Sequence, residues 1–177
     1  EAARRSPARL TLSAFAAIIV VVTGLLSLPT AAADGARTSF ADALFTAVSA
    51  VCVTGLTVVE TGTHWSVFGQ AVILVGIWVG GLGVMTLASV LGLAVSRRIG
   101  LTQKLLAAGE VGSALGEVGS LIRVVVITSL TIQTGIALVL VPRFVQLGES
   151  IGDALWHGAF YAVSAFNNAG FVPTPEG

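Results

Sequence analysis

The amino-acid sequence predicts an all-α integral membrane fold assembled from repeated units of helix, re-entrant loop and helix. Three observations predict it: a composition of 55% hydrophobic and only 10% charged residues, apolar runs longer than a soluble helix needs, and an internal repeat. Formal net charge is zero, so no excess of either sign points to nucleic acid, and the positions of the charges carry the information. The single cysteine, Cys52, excludes an intrachain disulfide or a cysteine-based zinc cluster.

A helix rises about 1.5 Å per residue, so roughly 20 apolar residues cross a hydrocarbon core of about 30 Å. Three stretches meet that length: Leu10 to Leu28, closed by Pro29; Phe68 to Ser96, with no charge; and Leu121 to Val141, charged only at Arg123. Arg123 sits near its end, where a long side chain reaches the headgroups. The first stretch has a second reading as a secretory signal, with Arg4, Arg5 and Arg9 before it and Ala31-Ala32-Ala33 after it. Signal cores run about 7–15 residues, and this run is longer, which favours a membrane helix. Arg4-Arg5 as a twin-arginine export signal is a two-residue match of little weight.

Phe40 to Val59 is nearly span-length and is interrupted only by Asp42. If it enters and leaves on one face, Arg4, Arg5, Arg9, Arg97, Arg98, Lys104 and Arg123 share a side and only Arg37 and Arg143 lie opposite. If it crosses, the split becomes four inside against five outside, contrary to the positive-inside tendency. The sequence therefore predicts a re-entrant loop and a cytoplasmic N-terminus.

The internal repeat aligns Phe45 to Leu56 with Phe160 to Phe171 without gaps, with six of twelve positions identical. Asp-Ala-Leu precedes each copy, at Asp42 and Asp153, with four extra residues in the second. In the first copy, Ala41 to Val51 is predicted to form about three helical turns with Asp42 capping the N-terminus, reaching about halfway into a bilayer. The β-branched run that follows breaks at Gly55, which favours an extended return. Non-helical backbone at that depth must be buried in protein or line a wet path. A ring of carbonyls there replaces the hydration shell of a monovalent cation without any charged ligand, and the negative end of the short helix points the same way.

The candidate ion-binding segments are Cys52, Val53, Thr54 and Gly55 in the first copy and Asn167, Asn168, Ala169 and Gly170 in the second. The two asparagines either hold the loop by hydrogen bonds or face the ion path as acceptors, the first being favoured. No side-chain catalyst is required, so an enzyme is not expected. His64 and His157 are isolated and read as loop or helix-end residues, with no transition-metal site. Glu60 and Asp153 read as loop charge and capping, or as attractors of cations to an outer vestibule. Gly80, Gly81 and Gly83 suit close helix packing or a flexible gate, and Gln70 and Gln133 suit interhelical hydrogen bonds.

At Ala47 to Thr57, Trp78 to Thr86 and Tyr161 to Phe171 the chain resembles the membrane subunits of the Trk/Ktr/HKT potassium transporters. The order of elements agrees over nearly the whole chain, though only the loop motifs are specific. The resemblance implies helix–pore loop–helix units related to potassium channels, four in one polypeptide around a single pore. It assigns Val53, Thr54 and Gly55 to the first filter segment and Asn168, Ala169 and Gly170 to the second. It further implies potassium as the transported ion with no organic cofactor, a multi-pass protein of the bacterial plasma membrane, a homodimer in the lipid bilayer, and a cytosolic nucleotide-binding regulatory subunit. Two filter segments stand where the family has four, so the expected organisation is an N-terminal half. Residues 1–96 form the first unit, 97–120 a cytoplasmic connector with helical character around Leu101 to Ala108, and 121–177 an incomplete second unit. The alternatives are a secondary cation-coupled carrier with broken helices and a non-conducting membrane assembly subunit.

Overall fold

The computed structural model describes residues 7–99 and 114–175. These are helical, with no named strand among the described residues: α1 (Pro7–Leu26), α2 (Phe40–Val51), α3 (Thr61–His64), α4 (Val67–Ile99), α5 (Ala114–Gln146) and α6 (Ile151–Phe166). Among the described residues two segments are long and apolar enough to cross a membrane, Val67–Leu87 within α4 and Ile122–Gln146 within α5. The first predicted span, Leu10 to Leu28, falls on α1 (Pro7–Leu26), whose described apolar part is Thr11–Leu26. The chain leaves the helix after Leu26, and Pro29 starts a 3-10 turn, Pro29–Ala31. Conversely, α5 continues through Pro142 to Gln146, a proline that membrane helices accommodate through local adjustment. The helix predicted around Leu101 to Ala108 lies outside the described residues, as do Arg4 and Arg5.

The chain divides into two compact bodies, Glu1–Gly81 with Gln133–Gly177, and Leu82–Ile132. In the second body Thr86 and Thr131 each return a hydroxyl to the carbonyl four residues back, at 2.7 and 2.8 Å, so their polarity is absorbed within their own helices. The first body holds every candidate ion-binding residue, whereas Gly83 falls in the second. Its core is built on Leu26, Val51, Trp65, Ile73, Ile77 and Phe160. Helix α1 packs on α2, and the 3-10 turn is tied to the start of α4 by Ser66 N–H to the Ala31 carbonyl (2.9 Å) and the Ser66 hydroxyl to the Thr30 carbonyl (2.7 Å).

Helix α4 approaches its neighbours through glycines. A Cβ at Gly69 would strike the Ala31 carbonyl, one at Gly76 would rest 3.5 Å from Ala50 Cβ, and one at Gly80 would strike the backbone of Val51. The missing side chains let α4 lie against the end of α2, the close approach that membrane helices obtain from small residues. Helix α6 uses Gly158 the same way, where a Cβ would stand 2.6 Å from Val141 Cγ2 of α5.

Candidate functional site

Helices α2 and α6 begin alike. Ser39 accepts the Asp42 N–H at 3.1 Å and donates its hydroxyl to the Asp42 carboxylate at 2.6 Å; Ser150 and Asp153 repeat this at 3.2 and 2.7 Å. The cap itself is therefore the serine, with the aspartate supporting it at the third helical position, a Ser-x-x-Asp variant of the capping box. The four extra residues of the second copy lengthen the helix from 12 to 16 residues, about one turn.

The helices also end alike. Val53 N–H bonds to the Ala50 carbonyl (3.2 Å) and Thr54 N–H to the Ser49 carbonyl (2.9 Å); Asn168 to Ala165 (3.0 Å) and Ala169 to Ser164 (2.8 Å) match them. These are the paired bonds of a Schellman motif, which needs a left-handed residue just past the helix. Val53 takes it at φ 56° and Asn168 at φ 57°. Asparagine suits that geometry, whereas a β-branched residue pays about 1–2 kcal/mol for it. Val53→Asn is accordingly expected to stabilise the protein by about 1 kcal/mol, read as a higher thermal unfolding midpoint in detergent; a lowered midpoint would show that the valine contacts outweigh the strain.

Two residues further on, Gly55 and Gly170 share φ 73°. They meet: a Cβ on Gly170 would stand 3.2 Å from Gly55 Cα, and one on Gly55 would stand 2.5 Å from the Ala169 carbonyl oxygen. The ends of the two loops, more than a hundred residues apart in sequence, are thus in backbone contact.

Behind the loops, the side chains differ. Thr54 donates its hydroxyl to Ser49 Oγ at 3.0 Å, while Ser164, the counterpart of Ser49, donates to the Phe171 carbonyl at 2.8 Å. Asn167 is buried and donates from Nδ2 to the Val163 carbonyl at 2.8 Å, so it holds the loop, while its Oδ1 lies against Gly81 of α4 without a hydrogen-bond partner. Asn168 and Gly170 are exposed, and Asn167, Ala169 and Phe171 are buried; with Val53, Gly55, Asn168 and Gly170 all at positive φ, the segments return as turns and not as the extended run the sequence predicts. In the first copy Cys52, Thr54 and Leu56 are exposed and Val53 and Gly55 half-buried.

The remaining conspicuous residues are locally engaged. His64 Nε2 is 3.0 Å from Thr38 Oγ1, and His157 Nδ1 is 2.8 Å from Glu149 Oε2. Among the described residues no group of histidine, cysteine and acidic side chains is arranged for a metal. Gln70 does bond between helices, to Trp156 of α6 at 2.8 Å. An apolar cavity of about 540 Å³ between α1 and α4, lined by Ile18, Val21, Phe68, Val72 and Val75 among others, offers no ligand for an ion. The sequence reading missed the Ser39 and Ser150 caps, which the Ser-x-x-Asp spacing signals, and the packing of Gly62 under Pro173 to Pro175, for which no local signal exists.

Comparison with known proteins gives a consistent picture. The model of the TrkH family, described as cation transport protein, matches residues 7–176. The chain is 41% identical over 175 residues to the Ktr system potassium uptake protein B of Bacillus subtilis, covering 98% of this chain and 38% of that protein. It is 38% identical over 167 residues to the Ktr system potassium uptake protein D of the same organism, covering 94% and 37%. It is 34% identical over 173 residues to the potassium/sodium uptake protein NtpJ of Enterococcus hirae, covering 95% and 37%. The chain therefore spans well under half the length of these relatives.

Proposed function

Because the chain belongs to the TrkH family of cation transport proteins, we propose that it forms part of a potassium-uptake pore in a bacterial plasma membrane. The ion passes a filter of backbone carbonyls drawn from Cys52 to Gly55 and Asn167 to Gly170. The observation that carries this reading is the backbone contact between Gly55 and Gly170 at the ends of two loops with the same dihedral and hydrogen-bond pattern. Three further features support it. Neither segment contains a charged side chain. The C-terminal ends of α2 and α6, where the helix dipole is negative, lead directly into the segments. The left-handed Val53 is the kind of backbone strain that collects at functional positions.

On this reading residues 1–96 and 121–177 are helix–pore loop–helix units, the second incomplete, joined by a cytoplasmic connector at 97–120, with the N-terminus in the cytoplasm. Other units complete the ring. Phe160 is fully buried, whereas Phe45, its counterpart in the repeat, is 40% exposed, which fits a neighbour covering α2 as the first unit covers α6. Pairing into a homodimer and docking of a cytosolic nucleotide-binding subunit belong to the same proposal, as does transport without an organic cofactor or a chemical step.

The name of the Enterococcus relative supports a second reading in which sodium also passes. Reconstituting the full polypeptide that carries this chain into proteoliposomes tests both. Potassium flux that exceeds sodium flux is expected; comparable fluxes favour the second reading, and inserted protein that moves neither ion overturns the proposal.

A further inference from the structure

Gln70, on α4, is buried at 6% exposure. Its Oε1 accepts the indole N–H of Trp156 in α6 at 2.8 Å. Its Nε2 donates to the Trp65 carbonyl at 3.2 Å and, more weakly, toward the Thr61 carbonyl at 3.5 Å. One amide thus joins the helix that leads into the second loop to the stretch Thr61 to Trp65 that follows the first.

That stretch also supports the chain leaving the second loop. A Cβ on Gly62 would stand 2.6 Å from the Thr174 carbonyl carbon and 2.7 Å from the Pro173 oxygen, so the return segment lies directly on α3. The Tyr161 hydroxyl, 2.6 Å from Thr174 Oγ1, ties the same segment back to α6. The links close a ring: Gln70, Trp156, α6, Tyr161, Thr174, α3 and Gln70 again. Both ends of the second segment are referenced to a single buried side chain. In a water-poor interior such a bond meets little competition and holds its geometry.

We propose that Gln70 is a positioning residue that sets the second filter segment against the first and thereby governs which alkali cation the pore prefers. The inference rests on the pore reading above. Whether a filter discriminates by cavity size or by the field of its carbonyls, the positions of those carbonyls decide the outcome, and Gln70 fixes them from behind without touching the ion.

The test uses Gln70→Leu, Trp156→Phe and the double variant in the full polypeptide, each assayed for the potassium-to-sodium flux ratio in proteoliposomes and for thermal stability in detergent. Removing one partner strands the polar atom of the other, whereas removing both leaves apolar surfaces at that bond and only the Trp65 carbonyl still short of its Nε2 donor, so stability should fall in the single variants and recover in part in the double one. Selectivity should not recover. A potassium-to-sodium ratio lowered about tenfold is expected in all three, the size of effect that loss of one well-made hydrogen bond carries. A ratio that recovers with stability in the double variant, or that never changes, overturns the proposal and leaves Gln70 a structural tie. Should Gln70→Leu fail to insert, Trp156→Phe, which keeps an aromatic ring against Phe160, decides. A parent protein without potassium flux sinks the pore reading and this inference together; a selective parent with equally selective variants sinks this inference alone.

Discussion

Gly55→Ala is expected to bring the potassium-to-sodium flux ratio close to one, while Gly170→Ala retains an intermediate ratio. Both glycines sit at φ 73°, where an L side chain costs about 1–2 kcal/mol, so strain alone predicts equal effects. Space separates them. The Cβ of an alanine at 55 would stand 2.5 Å from the Ala169 carbonyl oxygen and 3.2 Å from its carbon, and both are backbone atoms that move only if the second segment moves. At 170 the nearest atoms are Gly55 Cα at 3.2 Å and Gly55 oxygen at 3.5 Å, a crowding relieved by a few tenths of an ångström. Ion flux through reconstituted full-length variants, with insertion checked by a monodisperse profile in detergent, measures the difference. Equal ratios, or a larger loss at Gly170, would show that the contact between the loops is not what sets selectivity.

The features that create this contact were legible in the sequence to different degrees. The repeat gave the two loops and their glycines because the repeat is a statement about order along the chain. It placed Gly55 and Gly170 at equivalent positions, and both carry the same φ. The helix start was legible only in part: Asp42 and Asp153 stood out through Asp-Ala-Leu, whereas the capping oxygens belong to Ser39 and Ser150 three residues earlier. The left-handed Val53 was hidden because β-branched residues avoid that region, so side-chain propensity argues against what the Schellman bonds impose. Its counterpart Asn168 is a residue type that enters the region readily. Contacts between the copies were the least legible. Gln70 was readable as an interhelical donor and acceptor, but nothing local names Trp156, 86 residues away, as its partner. Gly62 reads as an ordinary loop glycine until the chain at Pro173 to Pro175 is brought over it.

Adjacent glycines on α4 give the second large effect, and here only one of two substitutions should be open to rescue. Gly80 faces the backbone of Val51, the last residue of α2, and Gly81 faces the side-chain amide of Asn167, the residue that caps α6. An added methyl at 80 meets a carbonyl that cannot turn aside without displacing the first loop, so Gly80→Ala is expected to cost the about 1–3 kcal/mol typical of overpacking or more, and no side-chain substitution at Val51 relieves a collision with its main chain. At 81 the obstacle is removable. Asn167 Oδ1 has no hydrogen-bond partner, and truncating the amide forfeits the Nδ2 bond to the Val163 carbonyl, a loss of about 1 kcal/mol. What then remains nearest to the new methyl is Asn167 Cβ at 3.3 Å, a contact that small shifts accommodate. Thermal unfolding of the inserted protein should therefore rank Gly81→Ala with Asn167→Ala above Gly81→Ala alone, and Asn167→Ala alone below the parent by the about 1 kcal/mol of the lost bond. A double variant less stable than Gly81→Ala would mean that the amide supports the second loop more than it obstructs α4.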